Sequence, residues 1–299
     1  MSIANRQSVS AAEPVTYERP STWRRLRRDW WSMVALTVLM ALALVSILAP
    51  WVAPYDPAQQ DLLRRLEGPS GSHWLGTDEF GRDQLSRLIY GSRLSILASL
   101  EAVGVAMALG IPLGLIGGYV RGRVDAVLSW FNDGMMAVPT LVLALTIVAA
   151  LGPGLSNAMI AVGLTLAPRF YRVARASTAE VRESPFIEAS RSIGCGTQRI
   201  MWHHVLPNAA SPIIVQVSVM LGMAILAEAS ISFLGIGARP PDASWGTLIQ
   251  TGSRFMTTAP TLLIAPGVAM LVTVLALQTL GDGLRDALGV RRNTGKAGK

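Results

Sequence analysis

Six long apolar runs separated by short charged segments constrain this chain more than any other feature. They cover about 33–53, 94–120, 134–151, 156–170, 209–236 and 260–280, and most reach the roughly 20 residues that a helix needs to cross a bilayer core. Half of the 299 residues are hydrophobic, while only 15% are charged. That balance is the pattern of a polytopic membrane protein, and it predicts an all-α fold of six transmembrane helices. The net charge of +7 does not point to nucleic acid, because the basic residues are spread along the chain and form no single basic arm or face. One cysteine, Cys195, excludes an internal disulfide and offers no metal cluster.

Charge orients the spans. With the N-terminus inside, 19 of the 26 basic residues fall in cytoplasmic segments, Arg169, Arg172 and Arg175 among them. Only Arg64, Arg65, Arg82, Arg87, Arg93, Arg239 and Arg254 fall outside. The positive-inside rule therefore places both termini and residues 188–208 in the cytoplasm. Residues 1–20 are polar and without periodicity and read as a disordered tail. Residues 23–31 interleave Arg24, Arg25, Arg27 and Arg28 with Trp23, Trp30 and Trp31, which suits a helix at the inner leaflet. The expected organisation is a cytoplasmic tail and interfacial segment over 1–31, a first span over 32–53 and an extracytoplasmic loop over 54–93. A helical core over 94–281 and a cytoplasmic tail over 282–299 complete it.

Residues 188–208, EASRSIGCGTQRIMWHHVLPN, are too short and polar to cross a bilayer. Ser184-Pro185 reads as a helix start, with Ser as cap and Pro at the first helical position. Glu188 then falls in the first turn, where the helix dipole favours a carboxylate. Phe186, Ile187, Ala189 and Ile193 leave an apolar stripe, and Gly194-Cys195-Gly196 ends the helix. Thr197 is placed to cap a second short helix carrying Ile200, Met201 and Val205, which Leu206-Pro207 closes. A helix–elbow–helix of this kind must dock on something.

Glu188-Ala189, Gly194 and Leu206-Pro207 resemble the EAA motif of ABC-importer permeases, with Ser190 in place of the second Ala and His204 in place of the usual Ile. Three further signatures resemble the dipeptide/oligopeptide/nickel branch of that family. They are Leu75-Gly76-Thr77-Asp78 with Gly81-Arg82-Asp83, the run from Phe233-Leu234-Gly235 through Pro240-Pro241 to Trp245-Gly246, and Gly281-Asp282-Gly283-Leu284-Arg285-Asp286-Ala287-Leu288. Gly289-Val290 departs from the Asp-Pro that commonly follows. The order of these signatures resembles the C-type permease subunit. The resemblance implies the type I ABC importer permease fold in a bacterial or archaeal cytoplasmic (inner) membrane. It also implies a homologous B-type permease, one or two P-loop ATPase subunits and an extracytoplasmic substrate-binding protein as partners, besides membrane lipid. Glu188, Ala189, Ser190, Gly194, Leu206 and Pro207 would be the ATPase-coupling residues, in two short helices at about 184–207. ATP and magnesium would sit on the partner ATPases, with no cofactor on this chain, which is no enzyme.

The chain itself has no P-loop, since its only lysines are Lys296 and Lys299, and no serine-hydrolase elbow. His203-His204 point about 100° apart on a helix without a third ligand, so no metal is expected there. Thr77, Asp78, Gly81, Arg82 and Asp83 lie in a loop of turn residues and mixed charge, held by local ion pairs and Asx turns. The loop is either a lid or docking surface for a binding protein, or a folded cap over the helix ends. Gly110, Gly114 and Gly118 recur every four residues beside Pro112, a pattern for close helix packing and a kink. Glu101 and Glu228 are carboxylates within spans, each expected at a helix interface or an aqueous cavity. Taken together, an ATP-driven importer subunit for di- or oligopeptides or peptide-like solutes is the expected function, working by alternating access. Two alternatives stay open: an ion-driven secondary transporter using Glu101 or Glu228, and a membrane scaffold that moves no solute. Uptake that persists without ATP but collapses with the ion gradient marks the first, and partner binding without uptake marks the second.

Overall fold

The computed structural model describes residues 22–289, so the expected tail over 1–20 and the last residues of the C-terminal tail lie outside the described residues. Among the described residues every long element is helical, and the single β-bridge, Thr77 with Asp83, belongs to a turn. A short helix α1 (Thr22–Arg28) leads into α2 (Trp30–Ile47), whose N-cap Asp29 accepts from the Ser32 backbone N–H at 3.2 Å. One turn, α3 (Ala49–Val52), starts the loop that leads to α4. Then come α4 (Gln84–Val120), α5 (Gly122–Ala137), α6 (Thr140–Leu151) and α7 (Leu155–Arg182). Two short helices, α8 (Pro185–Ser192) and α9 (Thr197–Ile200), precede α10 (Leu206–Phe233). A lateral helix α11 (Trp245–Arg254) and the final α12 (Thr261–Leu288) complete the bundle.

Four helices are long and apolar enough to cross a membrane: α2, α4, the continuous stretch Thr197–Phe233 and α12. The expected third span is in fact a pair, α5 and α6, bent by 96°. Pro139 explains the break, since it lacks the N–H that a continuing helix needs and pushes Val138 into extended backbone. The fourth run belongs to α7, whose 28 residues span about 42 Å. Its second half carries Arg169, Arg172, Arg175 and Arg182, so it is long enough to cross but polar along one side. Arg169, Arg172 and Arg175 are therefore residues of a continuous helix, not of a loop.

The second run also grows. Its helix begins at Gln84, ten residues before the apolar stretch, because Asp83 caps it: the carboxylate accepts from the Ser86 N–H at 2.8 Å and from the Ser86 hydroxyl at 2.7 Å. Pro112 lies inside this unbroken 37-residue helix. The core forms chiefly where α4 meets α7. A Cβ on Gly110, Gly114 or Gly118 would meet the backbone carbonyls of Ala167, Tyr171 and Arg175 at 2.4, 2.6 and 2.5 Å. Gly163 answers from the other side, where a Cβ would lie 2.6 Å from the Ala102 carbonyl. The glycine periodicity thus serves helix packing: without side chains on this face, the two backbones pack directly. Ala106, Val162, Leu166 and Phe170 fill the remaining space.

Candidate functional site

The elbow over 184–207 is assembled against the end of α4. Pro185 starts α8, and Ile187 is driven into a buried cluster with Leu115 and Tyr119 of α4 and with Ile200 and Val205. Arg191 reinforces this anchor: its Nε donates to the Tyr119 hydroxyl at 3.2 Å, and its guanidinium lies 5.0 Å from the ring centroid. The rest of the expected apolar stripe points away. Phe186, Ala189 and Ile193 are exposed, with Ile193 80% accessible, and so are Glu188 and Trp202. One apolar residue per helix thus holds the elbow on the bundle, while an apolar patch bearing a carboxylate remains outside. Exposed apolar side chains gathered on so short an element suit an interaction surface.

Gly194 turns the chain between the two helices with φ +81°, a conformation that costs an L-residue roughly 1–2 kcal/mol. A Cβ there would meet nothing within 4 Å, so the requirement for glycine is one of backbone conformation alone. Two expectations are corrected. Thr197 is not the cap of the second helix: Gly196 occupies that position, without a side-chain cap. Leu206-Pro207 do not close that helix either. The chain continues through a widened turn, Met201–Val205, in which the Leu206 N–H bonds to the Met201 carbonyl five residues back. Pro207 explains the widening. It has no N–H for the carbonyl four residues earlier, and its ring would clash with that carbonyl in a regular helix. Leu206 and Pro207 therefore weld the elbow to α10 as one rod.

At the opposite end of the bundle, the loop before α4 is a compact cap. Asp78 is 2% exposed; its carboxylate accepts from the N–H groups of Phe80 (2.8 Å) and Arg82 (3.0 Å) and from Arg82 Nε (2.7 Å). His73 Nδ1 lies 2.9 Å from the Asp83 carboxylate, and the Thr77 hydroxyl bonds the Arg64 carbonyl. A Cβ on Gly81, at φ +72°, would fall 1.7 Å from the Asp61 carbonyl. The ion pairs and Asx turns expected from the sequence are present, but the side chains of Thr77, Asp78, Arg82 and Asp83 are turned inward with Gly81. They build the cap. Its outward surface is offered by Leu62, Leu63 and Trp74.

The two carboxylates within spans differ. Glu101 is half-buried and accepts from the Ser156 hydroxyl at the first turn of α7, beside the Gly152-Pro153-Gly154 turn. Glu228 is fully buried. Ser95 of α4 donates to one of its oxygens at 3.1 Å and Ser232 to the other at 2.7 Å. Each serine is in turn held by a backbone amide, Trp245 N–H on Ser95 at 3.0 Å and Ala238 N–H on Ser232 at 3.4 Å. Glu228 therefore ties α4, α10 and the start of α11 together, with both oxygens occupied. His203 is exposed and His204 half-buried, and no group of three metal-ligating side chains occurs among the described residues.

A helical bundle with an elbow docked on the end of α4 and a folded cap at its far end fits a membrane-embedded permease component of a binding-protein-dependent transporter. Residues 110–293 match the family described as binding-protein-dependent transport system inner membrane component, and residues 21–69 match the N-terminal transmembrane domain of oligopeptide transport permease C. The chain belongs to this family, as a C-type permease subunit. It is 40% identical to the dipeptide transport system permease protein DppC of Alkalihalophilus pseudofirmus, with 91% of each chain covered. It is 40% identical to the di/tripeptide transport system permease protein DppC of Pseudomonas aeruginosa, over 94% of this chain and 96% of that one. It is 39% identical to the glutathione transport system permease protein GsiD of Pectobacterium atrosepticum, over 89% of each. Among solved structures, a chain of the inward-facing MetNI methionine ABC transporter superposes with a TM-score of 0.56 at 19% identity, covering 70% of this chain and 98% of that one. That likeness is one of fold.

Proposed function

We propose that this chain is the C-type permease of an ATP-driven importer for di- or oligopeptides or peptide-like solutes, coupled to its ATPases through the elbow over 184–207. The observation that carries the coupling is the division of labour in that elbow. Ile187, Ile200 and Val205 are locked onto α4, while Glu188, Ala189 and Gly194 face outward beside Ile193 and Trp202. A lever needs a rigid root and a free docking face, and this element has both. Closure of a partner ATPase pair pushes the elbow, and the rod formed by Leu206, Pro207 and α10 passes the displacement to the bundle as a rigid-body shift. Glu188 hydrogen-bonds the ATPase groove, Ala189 allows close approach, and Ser190, whose hydroxyl donates to the Phe186 carbonyl at 2.8 Å, keeps its polar group satisfied within α8.

Assignment to peptide-type solutes rests on the dipeptide, di/tripeptide and glutathione permeases that the chain resembles over most of its length. The partners are a homologous B-type permease, one or two kinds of P-loop ATPase carrying ATP and magnesium, and an extracytoplasmic binding protein. The cap over 54–83 is its docking surface, with Thr77, Asp78, Gly81, Arg82 and Asp83 holding the shape. Both termini face the cytoplasm.

Purification of tagged protein from its native membrane in mild detergent tests the reading. Recovery of a second permease and ATPases with ATP hydrolysis is expected. Gly194→Asp, placed at an exposed turn, should still reach the membrane but lose ATPase association and uptake at least tenfold, since it strains the backbone and sets a charge in the docking face. Wild-type uptake by Gly194→Asp would sink the coupling assignment.

A further inference from the structure

Along its second half α7 turns a polar face outward. Arg169, Arg172, Ala176 and Glu180 recur along one side at helical spacing, and all but Arg169 are exposed. Lipid does not accommodate such a face, so it borders water or another subunit. Arg169 is its deepest member. It stands level with Gly110 of α4, where a Cβ would meet Ala167 and Phe170 on either side of it, and with Met223 of α10, both within helices long and apolar enough to cross a membrane. Its half-buried guanidinium reaches across to α10, where Nη1 lies 2.6 Å from the Met223 sulfur. A thioether is a weak acceptor and carries no charge.

The neighbouring cations are neutralised within the chain. Arg172 pairs with Asp133 at 2.7 Å, and Arg175 Nη2 donates to Asp125 at 2.6 Å. Arg169 forms no ion pair among the described residues, at a depth where an unpaired charge is costly. A carboxylate supplied from outside the chain would neutralise it.

We propose that Arg169 binds the C-terminal carboxylate of the transported solute inside the membrane. The planar guanidinium presents parallel donors that match a carboxylate. A terminal carboxylate is also the group that peptides share whatever their side chains, so a single arginine at mid-path recognises the class without reading the sequence. The inference rests on the peptide reading above and adds a subsite to it.

The test uses the complete transporter with its binding protein in proteoliposomes. Uptake of a labelled dipeptide is compared with uptake of its C-terminal amide, both at concentrations that saturate the binding protein, so that the ratio reports the permease. Arg169→Gln is expected to lower uptake of the free acid roughly tenfold while leaving the amide within about twofold of wild type, and Arg169→Lys, which keeps the charge but not the paired donors, to recover only part of the acid uptake. Equal losses for acid and amide would mean that Arg169 pairs with a carboxylate of a partner subunit, and would overturn the proposal. So would wild-type acid uptake by Arg169→Gln. If the wild-type transporter takes up no peptide at all, the substrate reading falls and this subsite with it. Peptide uptake by wild type with an unchanged acid-to-amide ratio in the variant overturns the subsite alone.

Discussion

Glu228 shows how far a single buried carboxylate organises its surroundings. Its two oxygens take two serine hydroxyls, and those hydroxyls are oriented by the amides of Trp245 and Ala238. Glu228→Ala leaves both serines without an acceptor in a dry site and should cost about 3 kcal/mol. Glu228→Gln keeps the volume and one acceptor oxygen but presents an NH2 group where a hydroxyl already donates, for a loss nearer 1 kcal/mol. Thermal unfolding of the purified complex in detergent should therefore rank wild type above Glu228→Gln above Glu228→Ala. An alanine variant as stable as wild type would show that the network contributes nothing. The sequence marked Glu228 as an ionisable group that must face a helix interface. It carried no sign that Ser95, 133 residues away, is the partner.

At the scale of elements, the pairing of α4 with α7 and the rod from the elbow into α10 matter most. The glycines at 110, 114 and 118 announced a close helix contact through spacing alone, and Gly163 completes it from a position without any periodic signal. Gly114→Leu would place a branched side chain where even a Cβ lies 2.6 Å from a carbonyl. The helices must separate, at a cost of about 3 kcal/mol or more. Loss of a monodisperse complex in size-exclusion chromatography is expected for Gly114→Leu, whereas Gly134→Leu, at a glycine with open space, should behave as wild type. Two elements read less directly. Pro139 lies inside an apolar run, and the 96° size of the bend there is not legible from hydropathy, which is blind to backbone direction. The apolar run ends near Phe170 because charge interrupts the hydropathy, whereas α7 itself continues to Arg182.

For the whole molecule, the decisive property is which end faces the ATPases. Cys195 is the sole cysteine in the chain and sits half-exposed in the elbow. A membrane-impermeant maleimide should label it in inside-out vesicles and not in right-side-out ones. Addition of the partner ATPases before labelling should slow the reaction at least several-fold, because docking covers the elbow. Labelling from the outer side would reverse the topology. The sequence by itself determined the all-helical membrane class and the position of the elbow, and it predicts the orientation that the labelling checks. Those depend on local quantities: the length of apolar runs, the distribution of arginines, and glycine and proline at turns. Only the tertiary structure decided that the signature residues of the exterior loop face inward and that one face of α8 is buried while the other is free. It alone set Arg169 against a thioether without a counter-charge. Burial and pairing are properties of surfaces brought together from distant parts of the chain, and no local pattern encodes which surface arrives.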